Sequence, residues 1–201
     1  SDLVRGVMAT DALIGTFARL DDADLRQNIC FLYHLLGGGT GVARALRRAR
    51  GRGDALGDAR VIVIGIDTAT RQTSVAIGSE HEIIARASIA GAARQESVTP
   101  LLRELLDRSG LTLSRIGGIA VGVGPGLFTG LRVGVQTAKT LAQVAGVPIV
   151  GITSLDALAY PVRYSPRRIV AVIDARRGEV FSAIYRAVPG GVVRERGYEV
   201  H

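Results

Sequence analysis

From Val61 onward the chain falls into blocks of apolar and polar positions whose period changes. Val61-Ile-Val-Ile-Gly-Ile66 is an unbroken apolar run closing on Asp67, the pattern of a buried strand. Ser74–Gly78 and His81–Ala90 read as two more strands joined by a short turn, which predicts an antiparallel meander. Over 96–108 the period lengthens, and Val98, Leu101, Leu102, Leu105 and Leu106 share one face of a helix. Ile119–Val123 is the next strand. A Gly-rich turn follows, then a long helix to about Ala145, a strand over Val147–Ile152 and a short helix starting near Ser154. Strands alternating with helices predict the α/β class.

The pattern then repeats. Arg60–Asp67, followed by Ser74-Val-Ala-Ile77, is echoed by Arg168–Asp174 followed by Ser182-Ala-Ile184. Each copy is a strand ending in Asp, a turn and a second strand. This predicts a duplicated fold of two related α/β halves, as in actin-like ATPases, with strand-end acids facing across a cleft. The plainer alternative is chance similarity between two buried strands. A third strand, Val192–Val200, carries the second half to the end of the chain, so a complete first subdomain (61–157) and a truncated second one (158–201) are expected.

Residues 1–60 differ in character. Asp21, Asp22 and Asp24 precede a plausible helix over 25–36, with acids at its positive end, and Gly37–Gly39 stop it. Arg44, Arg47, Arg48, Arg50 and Arg52 then cluster among glycines, the composition of a solvated linker or, less often, of a nucleic-acid arm. No family is recognisable here. The formal charge is +7, with Lys139 the single lysine. Arginine-borne charge permits nucleic-acid contact but is equally a compositional habit. One cysteine, Cys30, excludes an internal disulfide and a cysteine metal cluster. No apolar run reaches membrane-spanning length and no signal peptide is read, so a cytoplasmic protein is expected.

Gly124-Pro125-Gly126 follows a strand and opens a helix, a setting that attracts anions. In that helix Gly126, Gly130, Gly134, Ala138 and Ala142 recur every four residues as a ridge of small side chains. Each helical glycine costs roughly 1 kcal/mol relative to alanine, so close packing must offset it. The ridge could meet the 96–108 helix of the same chain, a partner's helix, or both.

Five stretches carry a resemblance: Ile66–Thr70, Ser74–Ile77, Gly124-Pro-Gly-Leu-Phe-Thr-Gly-Leu-Arg-Val-Gly134, Thr153–Leu158 and Asp174–Val180. In order and spacing they resemble TsaB (YeaZ-type) proteins of the actin-like/glycoprotease superfamily, over about 61–201. The resemblance implies an actin-like (RNase H-like) fold. It also implies a non-catalytic dimerisation subunit that pairs with TsaD, with the ATPase TsaE joining, to threonylcarbamoylate the adenosine beside the anticodon of ANN-decoding tRNAs. The pairing helices would match 96–108 and 128–145, with Leu101, Leu105, Phe128, Gly130, Leu131, Gly134 and Ala138 at the interface. A homodimer is expected where TsaD is absent. No cofactor is expected on this chain, and ATP and metal would sit on its partners. The metal histidines of TsaD-type catalysts have no counterpart in Arg94–Pro100, and His34, His81 and His201 are far apart in sequence. Asp67, Thr68 and Asp174 would form at most a vestigial nucleotide site. The rival readings are a stand-alone actin-like ATPase or kinase using Asp67 and Asp174, and an RNA adaptor working through Arg44–Arg52.

Overall fold

The structure, a computed structural model, describes residues 61–79, 82–90, 98–188 and 191–200. The helix expected at 25–36, the Arg44–Arg52 cluster, Cys30, His34, His81, Arg94 and His201 lie outside the described residues. Strands β1 (Ile62–Asp67), β2 (Gln72–Gly78) and β3 (Ile83–Ala90) form the expected antiparallel meander. Helix α1 (Val98–Ser109) leads to β4 (Ile116–Gly122), and α2 (Phe128–Ala145) leads to β5 (Ile149–Ile152). Both new strands add parallel to β1, giving a five-stranded sheet in the order β3-β2-β1-β4-β5.

Two strands begin earlier than their apolar residues suggest. β2 opens on Gln72 and Thr73, which are polar yet buried in the sheet. β4 starts at Ile116, and Gly117 and Gly118 interrupt the apolar pattern that would have marked it. Gly117 lies so close to Val61 that a Cβ there would stand 2.8 Å from the valine Cγ1. Both long helices stop at a left-handed glycine, Gly110 and Gly146. After each, the next amide bonds back into the helix, Leu111 to the Leu106 carbonyl and Val147 to the Ala142 carbonyl.

The sheet is covered on both faces. On one, Ile64, Ile66, Val75, Ile77, Ile119 and Val121 pack against Leu101, Leu102 and Leu105 of α1 and Ala138 and Ala142 of α2. On the other, Val63, Ala76, Ala120, Val150 and Ile152 meet Ala157 of α3 (Ser154–Ala159). Thr153 caps α3 by accepting a hydrogen bond from the Asp156 amide at 3.2 Å. Leu155 and Ala159 pack away from the first sheet, against Ile169, Ala171, Ala183 and Tyr185.

Those last four residues belong to a second, antiparallel sheet of β6 (Ile169–Arg176), β7 (Glu179–Val188) and β8 (Gly191–Val200). One short helix thus sends side chains into two cores. Asp156 adds a polar tie: it accepts from the Tyr185 hydroxyl and from Arg194 Nη2, each at 2.7 Å. No helix among the described residues is long and apolar enough to cross a membrane.

Leu155 is fully buried where the two sheets meet. Leu155→Ala is expected to cost about 2–5 kcal/mol, read from denaturant unfolding. A loss below ~1 kcal/mol would show that the junction is not packed as described.

Candidate functional site

The site is built where β1 ends. Asp67 closes the strand, and its Oδ1 accepts the Ala69 amide at 3.0 Å, turning the chain sharply toward β2. The small-residue ridge of α2 lies on this turn. A Cβ at Gly126 would collide with the Ala69 carbonyl, one at Gly130 with the Thr68 carbonyl, and one at Gly134 with Thr68 Oγ1. Hydrogen bonds fix the approach. Leu127 donates its amide to the Ala69 carbonyl at 2.7 Å, and Thr68 Oγ1 donates to the Gly130 carbonyl at 2.7 Å. From the other side, Ser154 donates its amide to the Gly124 carbonyl at 2.8 Å.

The expected partner residues therefore divide. Leu101, Leu105 and Ala138 are buried in the chain's own core, and Gly130 and Gly134 meet Thr68 of the same chain. Within this chain the glycine side of the ridge approaches β1's terminal turn, while Ala138 and Ala142 share a core with the α1 leucines. Leu131 is half-buried, with its Cδ1 over Gly124. Phe128 alone among the expected residues is open, at 71% exposure, and the Arg132 guanidinium stacks 4.6 Å from its ring centre. Arg132, Gln136, Thr140 and Val144 are exposed further along α2. Arg132 was legible as charged but carried no periodic signal of its own.

The expected nucleotide residues divide as well. Asp67 is 4% exposed and Thr68 is equally buried. Burial pushes the Asp67 carboxyl above its ordinary range, partly opposed by hydrogen bonds from the Ala69 and Thr68 amides. Gly122 closes over it, since a Cβ there would stand 2.6 Å from Oδ1. Ser74 pairs with Asp67 across the ladder, and the buried Gln72 lies two residues away on the same side of β2.

Asp174 instead lines an open cleft of about 190 Å³ between the β1–β2 turn, the α2 entry and the β6–β7 turn. Thr70, Arg71, Gly126, Leu127, Arg176 and Phe181 share that lining. Arg176 and Arg177 both adopt left-handed backbone, with the Arg176 amide bonded to Asp174 Oδ1 at 2.7 Å. Two arginines and one aspartate line the cleft, while the strand-end acid of the first half is buried. Arg71 and Arg176 went unnoticed in the sequence, although each stands two to four residues beyond a strand-end Asp.

A meander followed by two parallel strands, in the order 3-2-1-4-5, with a second sheet whose first two strands meet at a similar Asp turn, defines the actin-like (RNase H-like) class. The family model described as TsaD: tRNA N6-adenosine threonylcarbamoyltransferase matches residues 61–194, and the chain belongs to that family. Its relatives include the tRNA threonylcarbamoyladenosine biosynthesis protein TsaB of Escherichia coli K12, 34% identical over 132 residues, covering 65% of this chain and 57% of that one. TsaB of Haemophilus influenzae is 36% identical over 127 residues, covering 62% and 54%. The solved structure of YeaZ from Pseudomonas aeruginosa superposes with a TM-score of 0.62 at 31% identity, over 70% of this chain and 66% of that one. The chain spans a little over half the length of the curated relatives it matches.

Two outcomes test this geometry. Gly134→Ala and Gly130→Ala should each destabilise the fold by about 1–3 kcal/mol. Thr68→Ala should relieve the first, whose clash is with the threonine side chain, and leave the second, whose clash is with backbone; additivity in both double mutants would refute the packing. For Asp67, the folded state holds its proton more tightly than the unfolded chain, where it titrates near 3.8. Stability contributed by this group should therefore fall as pH rises from about that value through the folded one. Asp67→Asn should remove that slope from unfolding curves collected across the acid range, and an unchanged slope would contradict the burial.

Proposed function

We propose that this chain is a non-catalytic scaffold that pairs with a TsaD-like paralogue through the outer face of α2. In this reading the pair acts in the cytoplasm on tRNA, in threonylcarbamoylation of the adenosine beside the anticodon of ANN-decoding tRNAs. A TsaE-like ATPase joins the pair, and a homodimer forms through the same face where the paralogue is absent.

The observation that carries the reading is Phe128. An aromatic side chain this exposed, stacked under an arginine at the start of a long helix, combines two residue types enriched in the cores of interfaces. The names of the TsaB relatives support the pathway. The withdrawal of Asp67 behind the cleft supports a scaffold over an ATPase, because a buried carboxyl with a raised pKa is poorly placed to hold a nucleotide-bound cation.

Phe128→Asp and Arg132→Glu should leave the melting temperature close to that of the parent, since both side chains are exposed. Each should weaken co-purification with the TsaD-like paralogue, on the order of thirtyfold or more for Phe128 in a titration. Parent-like affinity in both variants would overturn the proposed face.

A further inference from the structure

The connection from α3 to β6, Tyr160–Arg168, has no part in either core beyond the half-buried Tyr160. It is nevertheless tightly built. The Arg163 guanidinium lies between two aromatic rings, 4.2 Å from the centre of Tyr160 and 4.5 Å from that of Tyr164. Its Nη1 donates to the Tyr160 carbonyl at 3.1 Å and its Nη2 to the Tyr164 hydroxyl at 3.2 Å. The Ser165 amide bonds the Val162 carbonyl at 2.9 Å, and the Arg167 amide bonds Ser165 Oγ at 3.2 Å. Pro161 and Pro166 stiffen the loop further.

What this brace presents is an aromatic side chain beside cations. Tyr164 is 74% exposed, more than any other large apolar or aromatic side chain described. Arg167 and Arg168 follow it, both exposed. Arg168 and Arg186 share the carboxylate of Glu195, at 2.9 and 3.3 Å, so one acid faces two guanidiniums there. Between Ala157 and Ile173 the sequence contains no acid at all.

We infer that this loop is a contact for a single-stranded RNA segment, with Tyr164 stacking on a base and Arg167 and Arg168 meeting phosphates. The inference rests on the tRNA reading above for its choice of RNA, and it names where on this chain the RNA would touch. An acidic protein surface would be met by guanidinium forks. The fork of Arg163 is instead turned inward onto a carbonyl and a hydroxyl, and serves to hold an aromatic ring outward. Ring stacking flanked by positive charge is how proteins grip unpaired nucleotides with little sequence preference. A loop already fixed by its own hydrogen bonds loses little freedom when it binds.

The test titrates the full chain with two probes, an unmodified tRNA anticodon hairpin and a blunt RNA duplex of equal length, over a range of salt. Tyr164→Ala should weaken hairpin binding roughly five- to tenfold or more, with duplex binding and melting temperature little changed. Tyr164→Phe, which keeps the ring, should bind the hairpin nearly as the parent does. Arg167→Glu should weaken both probes and lower the salt slope by about one. Parent-like hairpin binding by Tyr164→Ala overturns the inference. So does a loss equal for hairpin and duplex, which would leave charge alone, and so does a parent that binds neither probe at low salt. Pairing with the paralogue is read at Phe128 and Arg132, so hairpin binding that does not depend on Tyr164, with pairing intact, is a failure here and not of the scaffold reading.

Discussion

The contact between the glycine side of α2 and the turn that ends β1 is the constraint on which the remaining geometry hangs. At Gly126 and Gly130 a Cβ would meet main-chain carbonyl oxygens, so the helix can sit this close only without side chains. Gly126 precedes the helix, whereas Gly130 and Gly134 lie inside it and each weakens it by roughly 1 kcal/mol relative to alanine. Hydrogen bonds from Leu127 and Thr68 and the dense packing of Ala138 and Ala142 on the sheet offset that cost. Because α2 is held this way, its rotation about its own axis is fixed. Phe128 and Arg132 are left outward by that rotation, and the entry turn is left facing the second sheet.

The same contact explains what the sequence could and could not tell. The five strands, two long helices and short α3 were legible because their apolar runs match strand and helix periods. The order of the first sheet was not derivable from them, since apolar runs do not say which strands are neighbours. A ridge of small residues announces close approach without naming the approached surface. Glycine has no side chain whose polarity could separate a partner's helix from the chain's own backbone. So Gly130, Gly134 and Ala138 read as interface, whereas within this chain the two glycines lie against Thr68 and Ala138 lies in the core. Leu101 and Leu105 carried the same ambiguity, since a leucine stripe suits a core and an interface equally. Polar burial was less legible still: Gln72 and Thr73 hid the start of β2, and nothing in Asp67's spacing distinguishes a ligand-facing acid from one sealed under Gly122.

The two strand-end aspartates show how one local device can serve different ends. Each accepts the amide two residues on, Asp67 from Ala69 and Asp174 from Arg176. In the first half the turn is roofed by α2, and water is excluded from the carboxyl. In the second half the carboxyl is exposed among the described residues, and two successive arginines take left-handed backbone to close the turn. The repeat is therefore one of backbone and hydrogen bonding, and the chemistry of the two acids follows from what packs above them.

That asymmetry bears on the scaffold reading proposed above. The first strand-end acid is sealed, while Asp174, Arg71 and Arg176 line the cleft between the sheets. Meanwhile α3 binds the halves together, through Leu155 and Ala159 in one core, Ala157 in the other, and Asp156 tied to Tyr185 and Arg194. The joint is thus held by both apolar packing and a shared carboxylate. In that scaffold reading, the surfaces this joint relates are the outer face of α2 on one sheet and the braced Tyr160–Arg168 loop beside the other.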